Sequence, residues 1–464
     1  MPAMSVSEAL FMLLETPSRP LHLGALALFE PPPDATDAHA RRMVEALLTH
    51  GEVAEVLRRR PSRPAHGLGY PSWSRVRKVD LAYHVRHAAV PGSGSRTDLL
   101  SLVSQIHSIP LDPTRPMWEV HVIEGLDDGR TALFTKIHLS LADGPAGLRL
   151  LHRAMATDPE TRNCPAPWSP AVAAPPAHRR TPTALLRAGL RAGTDLLTMV
   201  PALAEFVADG LRERQLTLPL QSPPTLFNLD SGRARTVAAR SWPTERLHRL
   251  AAAAHTPLDA VVLTMCAGAL REYLLDRYAL PEAPVTALLP VPLDLGRAAV
   301  GPRGHEPGTG ATVIELATDE ADPAARLARI TAALTGTDRV VAALNHTQFL
   351  LLSAVRLSPW LLEPARRFTD RVPPPSNVLI SYLPGPPRPR YYNGARLTNL
   401  YPVPVLLPGQ GLSITVTTGN GHLDLGIVAD RHAVPHVEQL PHLLEKSLAA
   451  LEHTLGTAPG TDPT

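Results

Sequence analysis

A chain of 464 residues with 44% hydrophobic content is long enough for two or more domains with ordinary buried cores. Its formal net charge of +2, without a run of like charge or a strip of interleaved aromatic and basic residues, argues against nucleic acid as a partner. Cys164 and Cys266 lie far apart and outside any CxxC spacing, so neither a disulfide framework nor a metal site is indicated and the chain reads as cytoplasmic.

From Met4 to Glu15 the apolar residues fall at helical spacing behind Ser5 or Ser7, either of which can cap a helix, and Thr16-Pro17 stops it. The run has no basic lead and is too short for a signal peptide or a membrane span. His22 to Glu30 reads as a strand, Ala38 to Leu48 as a helix and Leu81 to Ala89 as a strand, with Pro and Gly between them. The block Pro110-Leu-Asp112, then Arg115-Pro-Met-Trp-Glu119, leads into a strand from Val120 to Glu124. Trp118 reads as core, and Asp112 and Arg115 as partners for each other or for the loop that follows.

That loop is LFTKIHLSLADGPAG, Leu133 to Gly147. Leu133, Phe134 and Ile137 suggest a buried strand, and Leu148, Leu150 and Leu151 a helix, so the polar residues His138, Ser140 and Asp143 sit between a strand and a helix, where catalytic groups are commonly mounted. A lone His at a strand end is more often a hydrogen-bonded core residue, and a Ser here often only shapes the turn.

Pro159 to Pro182 is rich in Pro and Ala and reads as an extended connector. Thr183 to Arg214 then carries an amphipathic pattern through Leu185, Leu186, Leu190, Leu196 and Leu197, which suits a helix packed across two halves better than one resting on a membrane surface. Beyond it come a strand from Val237 to Ser241, a helix from Thr256 to Leu275 with Pro257 at its start, and a strand from Val285 to Val291. Ser381-Tyr-Leu-Pro-Gly-Pro386, Gly409-Gln-Gly-Leu-Ser-Ile-Thr-Val416, Leu423 to Gly426 and Ala429 to Arg431 follow, then a helix from Pro441 to Leu455 and a loose tail, Gly456 to Thr464.

Taken in order, these blocks resemble the wax ester synthase/diacylglycerol acyltransferase family, part of the wider group of coenzyme A-dependent acyltransferases and peptide-synthetase condensation domains. HLSLADG is similar to its HHxxxDG signature, PLD with RPMWE to its PLD and RPLWE, SYLPGP to its SNVPGP, and GQGLSITV to its GQxLNITV. The resemblance spans about Met4 to Leu455. It implies an α/β fold of two chloramphenicol-acetyltransferase-like lobes meeting at a central tunnel. The lobes would be 1–157 and 221–455, with 158–220 as linker and helix and 456–464 as tail.

In that family the second histidine is the general base, and the Asp holds the loop through an ion pair. Here Leu139 stands where that histidine belongs. Acyl transfer to an alcohol needs a base near neutrality, and an isobutyl group supplies none. Leu258, Tyr382 and Ser413 also replace asparagines of the pattern, and GPRGHEPGTG, Gly301 to Gly310, has no Asn where the family is rich in it.

The resemblance gives His138, Ser140, Asp143 (structural) and Gly144 as catalytic-loop candidates, and Leu139, Leu258, Ser381, Tyr382, Gln410 and Ser413 as substrate-binding candidates. It implies no bound cofactor, an acyl-coenzyme A or acyl carrier protein thioester as donor, a lipid-like alcohol or an amine as acceptor, and optional peripheral contact with a membrane. Two other readings stay open at this point: a non-catalytic protein binding a lipid-like molecule or a partner subunit, and a fold turned to cyclisation or dehydration with His138, Asp143 and Tyr382 as acid-base groups.

Overall fold

The computed structural model describes residues 4–33, 35, 38–62, 71–172, 222–229, 232–277, 279–292, 309–343 and 376–457. The expected helix over 183–214, the later part of the Pro-rich stretch, nearly all of segment 301–310 and the tail from 458 lie outside them.

Helix α1 (Val6–Leu14) starts at Ser5, whose hydroxyl accepts the Glu8 N–H while the Glu8 carboxylate accepts the Ser5 N–H, which decides between the two candidate caps. Strand β1 (His22–Glu30) falls where the sequence puts it, and α2 (His39–Thr49) one residue later than expected at both ends. A small hairpin, β2 (Arg59–Ser62) and β3 (Ser72–Arg75), comes next. The expected strand from Leu81 splits into one helical turn, Leu81–His84, and β4 (Val85–Ala89). The turn buries His84, whose Nδ1 lies 2.7 Å from the Trp118 carbonyl and whose ring stacks on the indole at 4.3 Å. Helix α3 (Arg96–Ser108), capped by Ser95 with Asp98, is one the hydrophobic spacing did not reveal. Strands β5 (Trp118–Glu124) and β6 (Thr131–His138) lead to α4 (Gly144–Ala154).

Further along come β7 (Arg235–Pro243), α5 (Thr244–Ala253), α6 (Leu258–Leu275), β8 (Thr286–Pro292), β9 (Thr309–Glu315), α7 (Pro323–Ala343) and β10 (Val378–Pro384). The chain closes with β11 (Tyr391–Tyr392), β12 (Ala395–Val403), β13 (Leu412–Gly419), β14 (His422–Asp430) and α8 (Leu440–Thr454).

Two compact units result, both discontinuous in sequence. The first gathers Met1–Pro176, Asp230–Arg246 and Tyr382–Pro441, the second Ala177–Leu229, Leu247–Ser381 and His442–Thr464, where a linear reading sets the lobes at 1–157 and 221–455. Long-range pairing is the reason. Strand β12 lies antiparallel against β1, with Leu26 opposite Tyr401, so late residues complete the sheet that early residues begin.

That sheet of the first unit runs β11-β12-β1-β6-β5-β4. Gly24 in β1 is required by closeness, since a Cβ there would lie 2.7 Å from the Phe134 ring. The Pro-rich stretch is only partly a connector. Trp168 is buried, stacks on Trp118 at 5.3 Å and donates to the His50 carbonyl at 3.0 Å, because an indole gains more from the core than the prolines before it gain from solvent. In the same unit β7, β14 and β13 run antiparallel, and Arg235 meets Asp430 at 3.0 Å with both side chains buried.

In the second unit α6 is buried on nearly every side, and β8 pairs with β9 and with the start of β10. Asn377 locks this unit: Oδ1 accepts the Thr286 N–H at 2.8 Å, while Nδ2 donates to Pro223 O at 2.6 Å and Asn228 Oδ1 at 2.7 Å. Among the described residues no single helix is long and apolar enough to cross a membrane.

Lys136 in β6 is 1% exposed and donates to the carbonyls of Ile106 and Ile109 at the C-terminal end of α3, which satisfies groups the helix cannot. Burial pulls its ammonium from 10.5 down to about 8, against the partial support of Glu119. The folded value lies below the unfolded one, so between pH 8 and 10.5 the unfolded chain binds more protons and stability rises with pH, by about 3 kcal/mol over the window. Denaturant midpoints across that range should climb in the wild type relative to Lys136→Met; parallel curves would contradict the buried charge.

Candidate active site

The site is built where β6 ends. His22 of β1 stands opposite His138 of β6, the His138 N–H donates to Met117 O at 3.0 Å, and the Leu139 N–H donates to Leu21 O at 3.0 Å, so the loop leaves the sheet with its backbone held on both sides. Past the end of β6 the chain turns at once: the His138 carbonyl accepts the N–H groups of Leu141 and Ala142, with His138 fully buried, Leu139 half-buried and Ser140 3% exposed. The turn brings Ser140 back against the His138 ring.

In this turn Ser140 Oγ lies 2.6 Å from His138 Nδ1, and the Ser140 N–H donates to the same nitrogen at 3.1 Å. A nitrogen that accepts an amide proton carries none itself, so the imidazole is protonated at Nε2. Nε2 points towards Glu15, whose Oε1 is 3.4 Å away and also accepts the Leu21 N–H at 3.1 Å. This approach lacks full hydrogen-bond alignment, and Glu15 itself is one-fifth exposed. Serine, imidazole and carboxylate therefore stand in a row, with Met12 Sδ of α1 3.6 Å from the serine oxygen.

Sequence reasoning passed over Glu15. It ends α1, and the tight reversal closed by the Thr16–Arg19 bridge brings it back beside β1, next to the residue paired with His138. Only that pairing register makes it part of the site.

Asp143 caps a helix. It is exposed, it accepts the Ala146 N–H at 2.8 Å as the N-cap of α4, and it forms no ion pair among the described residues. An Asp at the start of a helix finds a partner in the orphan N–H groups. At Gly144 an added Cβ would meet nothing nearer than Leu383 Cδ1 at 3.5 Å, an ordinary contact. Asp112 and Arg115 pair with each other at 3.8 Å, and Arg115 also reaches Asp80 at 3.2 Å. Trp118 is core, its indole N–H donating to Leu57 O at 2.9 Å.

The other candidates divide between the units. Leu139, Tyr382, Gln410 and Ser413 belong to the first unit with the loop, while Leu258 and Ser381 belong to the second. Leu258 opens α6 half-buried, and Ser381 is buried in β10. Tyr382 is 37% exposed with its hydroxyl 3.4 Å from Thr418 Oγ1. Gln410 and Ser413 are fully buried, Ser413 in β13 opposite Val428 with its hydroxyl unpaired among the described residues.

Charge near the loop is kept low by burial. Desolvation, then the neighbouring cations, hold His22 and His107 well below the usual imidazole range, so both stay neutral around Lys136. The Cys266 thiol is pushed up to about 12 by burial, which removes it as a nucleophile. Among the described residues no group of His, Cys, Asp and Glu is placed to hold a metal ion.

Residues 4–262 match the wax ester synthase/diacylglycerol acyltransferase catalytic domain and residues 308–452 the WS/DGAT C-terminal domain. A putative diacylglycerol O-acyltransferase of Mycobacterium tuberculosis is 42% identical over 453 residues, which is 98% of this chain and 100% of the relative. A probable diacylglycerol O-acyltransferase of the same species is 38% identical over 460 residues, again 98% and 100%. Among solved structures the wax ester synthase/diacylglycerol acyltransferase of Marinobacter aquaeolei VT8 superposes with a TM-score of 0.76 at 30% identity, over 98% of this chain and 100% of that one. The first condensation domain of the CDA synthetase, at 18% identity and a TM-score of 0.62 over 99% and 96%, shares the fold alone.

The capping role of Asp143 sets the size of its contribution. Asp143→Ala should cost about 1 kcal/mol in chemical denaturation, the usual worth of an N-cap, and Asp143→Asn almost nothing. A loss several times larger in the Asn variant would mean that the carboxylate charge is what holds the loop.

Proposed function

The chain belongs to the wax ester synthase/diacylglycerol acyltransferase family, and we propose that it moves an acyl group from an acyl-coenzyme A thioester to the hydroxyl of a lipid-like alcohol. The observation that carries this reading is the preserved frame: β6, the HLSLADG loop and the Asp143-capped α4 follow one another in a chain that is related over 98% of its length to proteins named as acyltransferases. Holding donor and acceptor in register supplies much of the rate in such a reaction, and a fixed loop is what that needs.

The chemistry at the loop then differs from the family pattern. Leu139 takes no proton. His138 faces Ser140 and Glu15, so proton transfer runs through this buried row, and Glu15 stabilises the imidazolium that forms. An acyl carrier protein as donor and an amine as acceptor follow the same chemistry with a different carrier or a better nucleophile.

One observation favours a second reading. Because His138 is fully buried, the chain can instead bind acyl thioesters or their products without turning them over. Purified protein incubated with long-chain acyl-coenzyme A or acyl carrier protein, and with diacylglycerol or a fatty alcohol, should release thiol in step with ester formation. His138→Ala should lower the rate by about 10². Calorimetric binding of the thioester with no thiol release above background would favour the binding protein.

A further inference from the structure

We propose that Ser140 is itself an acyl carrier, so that transfer proceeds through an ester on its Oγ and not by direct attack of the acceptor on the thioester. This rests on the acyltransferase reading and adds a covalent step to it. Leucine at position 139 leaves an acceptor alcohol with no base on that side of the loop, whereas Ser140 brings its own oxygen to within 2.6 Å of an imidazole nitrogen that is an acceptor already. A hydroxyl buried for structure alone normally satisfies a backbone group. Ser140 Oγ instead meets an imidazole whose far nitrogen faces a carboxylate, which is the arrangement that turns a weak nucleophile into a strong one.

In the first half-reaction Ser140 Oγ attacks the thioester carbonyl and its proton passes to His138 Nδ1. The C–S bond breaks and the departing thiolate takes that proton, leaving free thiol and acyl-Ser140. In the second the acceptor hydroxyl attacks the new ester, gives its proton to Nδ1, and the C–O bond to Ser140 breaks with the proton returning to Oγ. No oxidant or further reactant is consumed. Glu15 acts as a positioning residue in both halves, facing the protonated Nε2 and so leaving Nδ1, which accepts the Ser140 N–H in the resting loop, as the nitrogen that takes the proton. Access is governed by α1. Met12, a flexible thioether, covers the serine oxygen at 3.6 Å, while Leu13 beside it is 71% exposed, so this short helix has an apolar surface for an acyl chain that displaces Met12.

The test incubates the full chain with palmitoyl-coenzyme A and no acceptor, followed by peptide mass mapping, and in parallel with a fluorophosphonate probe that labels activated serines whatever the natural donor. The expected result is an added acyl mass and a probe adduct on the peptide carrying Ser140. Both should be absent from Ser140→Ala and the acyl adduct restored as a thioester in Ser140→Cys, with acyl transfer by the Ala variant down about 10² or more. Thermal melting of the Ala variant separates lost chemistry from lost folding. Transfer by Ser140→Ala within a few-fold of wild type, with no adduct on the wild type, overturns the covalent step and leaves the acyltransferase reading standing. Probe labelling of Ser140 with no transfer to any acceptor upholds the nucleophile and removes that reading instead, and the absence of both transfer and labelling overturns the two together.

Discussion

The hydrogen bond from Ser140 to His138 Nδ1 is the contact on which the loop's geometry turns. It exists because the chain turns at the end of β6, where the His138 carbonyl accepts the Leu141 and Ala142 N–H groups and Ser140 is folded back onto the His138 ring. Once the Ser140 amide occupies Nδ1 as a donor, the ring's tautomer is fixed, and once Nε2 carries the proton, Glu15 is the partner it faces. Three side chains from α1 and the motif loop therefore depend on the register in which β1 meets β6. A slip of one residue in that pairing would move His138 to the opposite face of the sheet, away from Glu15.

The surrounding framework protects that register. Gly24 admits the Phe134 ring, β12 closes the other side of β1, and Lys136 ties β6 to the end of α3 through two carbonyls. Two neighbouring imidazoles, His22 and His107, meet edge to face at 4.6 Å and are held neutral by burial beside Lys136, the cation that the end of α3 already solvates. Asp143 fixes the start of α4 by capping it, which leaves the loop between two firmly held elements.

Much of this was legible in the sequence, and what was missed shares a cause. Local signals sufficed for β1, for the existence of α1 and for α6 behind Pro257. The ordered motif blocks gave the family that the relatives bear out. Strand β12, LTNLYPV with Pro402 inside it, shows no clean alternation, and its partner lies some 370 residues away, so no local pattern could reveal it. Helix α3 carries a capping box at Ser95 and Asp98, a signal present but passed over because its apolar face is narrow. Trp168 lay hidden in a Pro-rich stretch whose composition argued for a connector. Glu15 could be recognised as part of the site only after the pairing of His22 with His138 was known, since nothing in its own neighbourhood sets it apart from any other helix-end carboxylate.

The account rests on which nitrogen of His138 carries the proton. Selective ¹⁵N labelling of the histidines, with the His138 signals identified by their loss in His138→Gln, reads this directly from the nitrogen shifts and their couplings to ring protons. A protonated Nε2 with Nδ1 in an acceptor's environment is the expected result. A proton on Nδ1 would contradict it, because Ser140 could then neither donate to that nitrogen nor lose its own proton there.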